Sequence, residues 1–150
     1  MYLAYLDGDL PNAFTCDNFR DVARLEFEPH FQDYMQEAFK PLGVYVDFWQ
    51  PALAAGTRRT YRVILVNDTQ QASRGRLTLA WKSEQGDLAG EHAERAFEVP
   101  PAGRGTCELE LPAPSREGRY VLTAAAAWEG QPWSPTLSRR KVTVTAAAEK

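Results

Sequence analysis

The side chains able to do chemistry are few in this chain of 150 residues, and they are poorly grouped. Its two histidines, His30 and His92, stand far apart, and neither has a Cys or His partner at the short spacing of a zinc site. They read as solvated side chains. A serine nucleophile would need one of them as its base, yet no Gly-x-Ser-x-Gly turn is present to present such a serine. Gly103-Arg104-Gly105 has glycines in common with a phosphate loop but lacks the strand–turn–helix setting, so it reads as a turn. Carboxylates pair more often: Asp7/Asp9, Glu26/Glu28, and Glu108/Glu110 on the outer face of one strand. Two carboxylates across a glycosidic bond can serve as acid and base, but one of them needs an apolar pocket that raises its pKa. No such pocket is evident around these pairs, which read as solvated acidic surface. The sequence therefore assigns no catalytic, metal-binding or cofactor-binding residue.

The tryptophans are the one feature with a choice of roles. Trp81 and Trp128 fall in register with core-facing residues and read as core. Trp49 is out of phase with Val44, Val46 and Phe48, and Trp133 lies in the Gly130-Gln131-Pro132-Trp133 loop. Trp49 and Trp133 are the candidates for an interface with another domain or for stacking on a sugar ring.

The elements that must position these residues change character near residue 40. Before it, Asp17-Asn18 can cap a short turn into Phe19, Val22 and Ala23. A helix is expected at about 29–39, with Pro29 in its first position and Phe31, Met35 and Phe39 on one face. Pro41 and Gly43 stop it. From Val44 the apolar period becomes two, giving expected strands near 43–50, 60–67, 76–83, 95–99, 106–111, 119–128 and 137–145. The TYRVILVN run is apolar enough to suggest a strand covered on both faces. The Ala124–Ala127 run would favour a helix locally, but the alternation around it argues for a strand. About seven short strands separated by turns, with no crossover helices, predict an all-β, immunoglobulin-like sandwich of antiparallel strands. Val63, Leu65, Leu79, Trp81, Leu109, Tyr120 and Leu122 are its expected core. Tyr120, just past the Glu117-Gly118 turn, stands where such domains place a structural tyrosine whose hydroxyl bonds back to the preceding turn.

The sulfur framework is Cys16 and Cys107, expected as two free thiols. The bridge usual in immunoglobulin domains is excluded, because Val63, Leu65, Leu122 and Ala124 occupy the places it would need.

Charge divides the chain as the pattern does. Residues 1–40 carry eight acids against Arg20, Arg24 and Lys40, a balance of −5, and the remainder carries 12 acids and 14 bases, a balance of +2. With a net charge of −3 the chain is not expected to bind nucleic acid, which requires a clustered cationic surface. No stretch is apolar over the length of a membrane span, and MYLAYLDGDLPNAF reaches Asp7 too soon for a signal peptide. The chain reads as soluble, as a fragment of something larger, and with its compartment unassigned. The expected organisation is a connector over 1–40, a sandwich over 41–145 and a tail over 146–150. Residues 1–16 are expected to be loosely held, and Phe31, Met35 and Phe39 to need an apolar surface, the sandwich being the nearest.

A resemblance sharpens this. Asp17-Asn18-Phe19-Arg20-Asp21-Val22, Leu25-Glu26-Phe27-Glu28-Pro29, Ala38-Phe39-Lys40-Pro41-Leu42-Gly43-Val44 and Phe48-Trp49 together resemble the C-terminal part of bacterial proteins of glycoside hydrolase family 2. There the chain leaves a catalytic barrel and enters an immunoglobulin-like sandwich. Val63-Ile64-Leu65-Val66-Asn67-Asp68, Gly118-Arg119-Tyr120-Val121-Leu122 and Ser138-Arg139-Arg140-Lys141-Val142 are similar to that sandwich. The resemblance implies a parent enzyme acting on β-galactosides, β-mannosides or β-glucuronides with two glutamates on a (β/α)8 barrel. Such a barrel takes about 250 residues, so no catalytic residue carries over. The implied role is a non-catalytic accessory domain whose partner is the parent's catalytic domain, with weak or no binding of free oligosaccharides. Two alternatives remain open: an autonomous carbohydrate-binding module and a fibronectin-like interaction module.

Overall fold

The computed structural model describes residues 6–7, 15–16, 19–21 and 23–146. They fall into two compact units, Met1–Phe39 and Lys40–Lys150.

In the first unit, β1 (Leu6–Asp7), β2 (Thr15–Cys16), β3 (Phe19–Asp21) and β4 (Glu26–Phe27) form a four-stranded antiparallel sheet in sequence order, followed by α1 (Phe31–Ala38). These strands are not in the sequence expectation. They are too short to show a period of two, and aromatic stacking rather than alternation marks them. Phe19 lies opposite Phe27 with ring centroids 4.7 Å apart, and Phe27 meets Phe31 at 5.3 Å. The turn between β3 and β4 carries Leu25 in a left-handed conformation (φ 55°), and the Arg24 N–H donates to Asp21 Oδ1 at 3.0 Å. Phe19 therefore belongs to a strand and not to a capped turn; Asp17, Asn18 and Val22, also named for that turn, lie outside the described residues. The helix starts later than expected: His30 is its N-cap and Pro29 lies outside it. No residue of α1 is buried, and Phe39 is 60% exposed.

The second unit is the sandwich. A three-stranded sheet has the order β10 (Gly103–Pro112), β7 (Arg58–Asn67), β5 (Leu42–Asp47), and is antiparallel throughout. A five-stranded sheet has the order β6 (Ala52–Ala54), β12 (Thr136–Thr145), β11 (Gly118–Trp128), β8 (Ser73–Ser83), β9 (Leu88–Val99). The expected antiparallel strands are present. The short β6, beyond the expectation, runs parallel to β12, with Val144 opposite Leu53. Pro51 and three small or apolar residues gave it no alternation to be read by.

Alternation places the core. Tyr61, Val63 and Leu65 of β7, Leu77, Leu79 and Trp81 of β8, and Leu122, Ala124 and Ala126 of β11 are all essentially inaccessible. Burying such side chains contributes about 1.5–3 kcal/mol each for the larger ones. The expectation of two covered faces for β7 fails, because its sheet is packed on one face only; Val66 is 40% exposed. Ala124 and Ala126 stay in a strand because β8 and β12 pair with it from both sides. Trp128 is at the rim rather than in the core, half-buried against it. Opposite Trp128, Gly75 is required by close approach: a Cβ there would lie 1.9 Å from the Ala127 carbonyl oxygen and 2.8 Å from the Phe97 ring.

Candidate functional site

Trp49 and Trp133 are both exposed, at 73% and 50%, but the fold does not bring them together. Trp133 shares a shallow cleft with Leu42, at the start of β5, whereas Trp49 follows the end of that strand. Trp133 lies by the first residue of β5, whereas Trp49 packs on Tyr45, three residues further along it.

The Trp133 cleft is formed by Lys40, Leu42, Ala126, Trp128, Trp133 and Thr136 among others, and encloses about 10 Å³. That is space for one water, against about 300–1,000 Å³ for a typical small-molecule pocket. Trp128 and Trp133 meet edge-on at 5.5 Å, and Lys40 Nζ donates to Ser134 Oγ at 3.2 Å and to the Pro135 carbonyl at 3.0 Å. These contacts order the loop between β11 and β12.

Trp49 has different company. Its ring is 6.1 Å from that of Tyr45, and the Arg140 guanidinium lies 5.0 Å from each centroid. Arg140 shares the inward phase of Ser138 and Val142 on β12, where a charge cannot remain in the core. Its guanidinium lies beside β5 against the two rings, with Nη1 donating to the Arg139 carbonyl at 2.9 Å and Nε buried without a partner. The signal was legible in the sequence: an arginine in phase with Val142 and Val144. The Arg140 contact itself was not foreseen. Arg59 does the same at the neighbouring end of β7, 4.8 Å over Phe48 and 5.5 Å over Tyr61, with Nη1 donating to Gln50 Oε1 at 2.7 Å.

Tyr120 is half-buried, its ring against the core, and its hydroxyl donates to the Arg116 carbonyl at 3.1 Å. Gly118 (φ +152°) passes beneath that ring, where a Cβ would stand 3.3 Å from it.

Among the described residues the titratable groups do not converge. Burial pushes the Tyr61 hydroxyl up to about 12, opposed by the nearby Arg59 charge. Burial likewise raises the Cys107 thiol, which is free and sits inside the sandwich; the side chain of Cys16 lies outside the described residues. On the surface, the hydrogen bond from Arg74 holds the Glu98 carboxyl low. Glu110 pairs with Arg58 at 3.0 Å in the open, while Asp7 and Asp9 have no described side chains. His30 is exposed beside Tyr34, and His92 is exposed on β9. Among the described residues no three His, Cys, Asp or Glu side chains could hold a metal ion, and no helix is long and apolar enough to cross a membrane.

No protein-family model matches the chain, and no curated protein matches it in sequence. Solved structures match in fold. One is β-glucosidase from Listeria innocua in complex with glucose, with a TM-score of 0.54 and 11% identity, over 73% of this chain and 16% of that one. Red sea bream transglutaminase matches at a TM-score of 0.54 and 13% identity, over 85% of this chain and 20% of that one. E. coli alpha-2-macroglobulin matches at 0.53 and 16% identity, over 71% and 7%. At such identities the likeness is one of fold. The chain corresponds to a fifth or less of the length of each.

Proposed function

We propose that this chain is a non-catalytic accessory β-sandwich domain of a carbohydrate-active protein, and that the parent is a bacterial glycoside hydrolase of family 2. The observation that carries this is a sandwich whose described titratable groups form no convergent pocket and whose fold corresponds to a small part of larger chains, one of them a β-glucosidase. The sequence resemblance over Asp17–Trp49 supplies the family. The domain's work is to pack on the catalytic barrel, its partner within one polypeptide. Fold alone supports no reaction, so the role rests on these features taken together.

An autonomous carbohydrate-binding module would align its tryptophans in one row. The separation of Trp49 from Trp133 along β5 weighs against that reading.

Determining the coding sequence around this segment tests the proposal. The expected result is a (β/α)8 barrel with two catalytic glutamates in the same reading frame. A frame with no hydrolase barrel would overturn it.

A further inference from the structure

The apolar run of β7 suits cover on two faces and receives it on one. Tyr61, Val63 and Leu65 point into the core, so alternation turns Arg62, Ile64 and Val66 to the outer face of the three-stranded sheet. Val66 is 40% exposed there and Ile64 is partly exposed. Pairing with β10 sets three rows across that face: Val66 with Arg104, Ile64 with Thr106, and Arg62 with Glu108. An uncharged centre thus has a cation on one side along β10 and an anion on the other.

Those two charges are not used within the sheet. Arg62 Nε donates to Asp47 Oδ2 at 2.8 Å, and Arg58 pairs with Glu110 at 3.0 Å. Arg104 and Glu108 are exposed, and neither has an ion pair among the described residues. The charges of Arg62, Asp47, Arg104 and Glu108 cancel, so the face selects neither a polyanion nor a polycation. Its pattern is instead complementary to itself. A half-turn about an axis lying across the strands, along the Ile64–Thr106 row, lays the face on a second copy with the row order reversed. Arg104 then meets Glu108 of the second copy, and Glu108 meets its Arg104. Ile64 meets Ile64, and Val66 lies on the aliphatic stem of Arg62. No like charges are opposed among these residues.

We infer that the outer face of the β10–β7–β5 sheet is an interface between two copies of this chain, a contact that uses the same patch on both. This goes beyond the accessory role and does not depend on it. Sheets stack face to face at about 10 Å, so the second copy supplies the missing cover for β7. A face three strands wide, at about 4.8 Å per strand, is small beside the roughly 800 Å² per partner of a standard interface. The dimer is therefore weak and reversible.

The test is sedimentation equilibrium of the 150-residue chain at low ionic strength, from micromolar to millimolar concentration. The expected result is a reversible monomer–dimer equilibrium. Arg104→Glu and Glu108→Arg should each weaken it about tenfold, since each turns two attractions into repulsions. An equimolar mixture of those two variants should recover the wild-type affinity, because every facing pair is then opposite in sign. Ile64→Lys should abolish association by setting two cations on the axis, with far-UV circular dichroism checking that the sandwich is intact. A chain that stays monomeric at the highest concentration would overturn the interface. So would a dimer that ignores the charge reversals, or a mixture of the two reversed variants that stays as weak as either alone. The mixing arm decides even where Ile64→Lys fails to fold, because positions 104 and 108 are exposed.

Discussion

The Tyr120 hydroxyl closes the turn before β11 through its bond to the Arg116 carbonyl, with the ring lying over Gly118. Tyr120→Phe removes the bond and little else. It should cost about 0.5–1.5 kcal/mol, read as a modest drop in Tm by thermal unfolding. Tyr61 carries a pH signature. Its folded pKa of about 12 lies above the ordinary tyrosine value of 10.0, so the folded state keeps the proton that the unfolded state releases. Its contribution to stability is complete below pH 10 and is lost as pH rises towards 12. Denaturant unfolding across that window should show stability falling for the native chain, with a shallower fall for Tyr61→Phe. At this scale the sequence was informative where one residue carries its own signal. Tyr120 after its turn and Trp49 out of phase both stood out. The brace behind Trp49 did not, because it depends on Arg140, far away in the chain and brought to β5 by the packing of the two sheets.

Elements were legible where one face is buried. In β7, β8 and β11 every second residue meets the core, and the period of two follows directly. The four strands of the first unit and β6 escaped, being too short to repeat. Close approach between strands was hidden as well: Gly75 looks like an ordinary strand glycine until Ala127 and Phe97 are seen to close over it. Gly75→Ala must move the β11 backbone at Ala127 as well as the Phe97 ring. It should destabilise by about 1–3 kcal/mol, measured as a lower midpoint in urea unfolding. Asn67 is the matching element at the end of the sandwich, 1% exposed. Its Nδ2 donates to the Gln71 and Pro100 carbonyls at 2.7 and 3.0 Å, while its Oδ1 accepts from the Thr69 N–H at 3.0 Å. It ties the turn after β7 to the turn after β9. Asn67 directly follows the apolar run of β7, and nothing in the sequence showed that this side chain would be buried. Asn67→Ala removes these bonds, whose partners lie at the part-buried end of the sandwich, at about 0.5–1.5 kcal/mol each. Its urea midpoint should fall at least as far as that of Gly75→Ala.

On the scale of the molecule, charge and periodicity in the sequence both change near residue 40. The fold class followed from strands, turns and the lack of crossover helices. The role did not follow from the fold, since the same sandwich occurs within a glucosidase, a transglutaminase and a macroglobulin. The central claim is that this chain supports a reaction carried out elsewhere. Its most direct test is incubation of the purified chain with nitrophenyl β-galactoside, β-mannoside, β-glucuronide and β-glucoside. The expected result is no release of nitrophenol above the uncatalysed rate. Turnover that disappeared when one of the chain's own carboxylates was replaced, Glu108→Gln or Glu110→Gln for instance, would contradict the account.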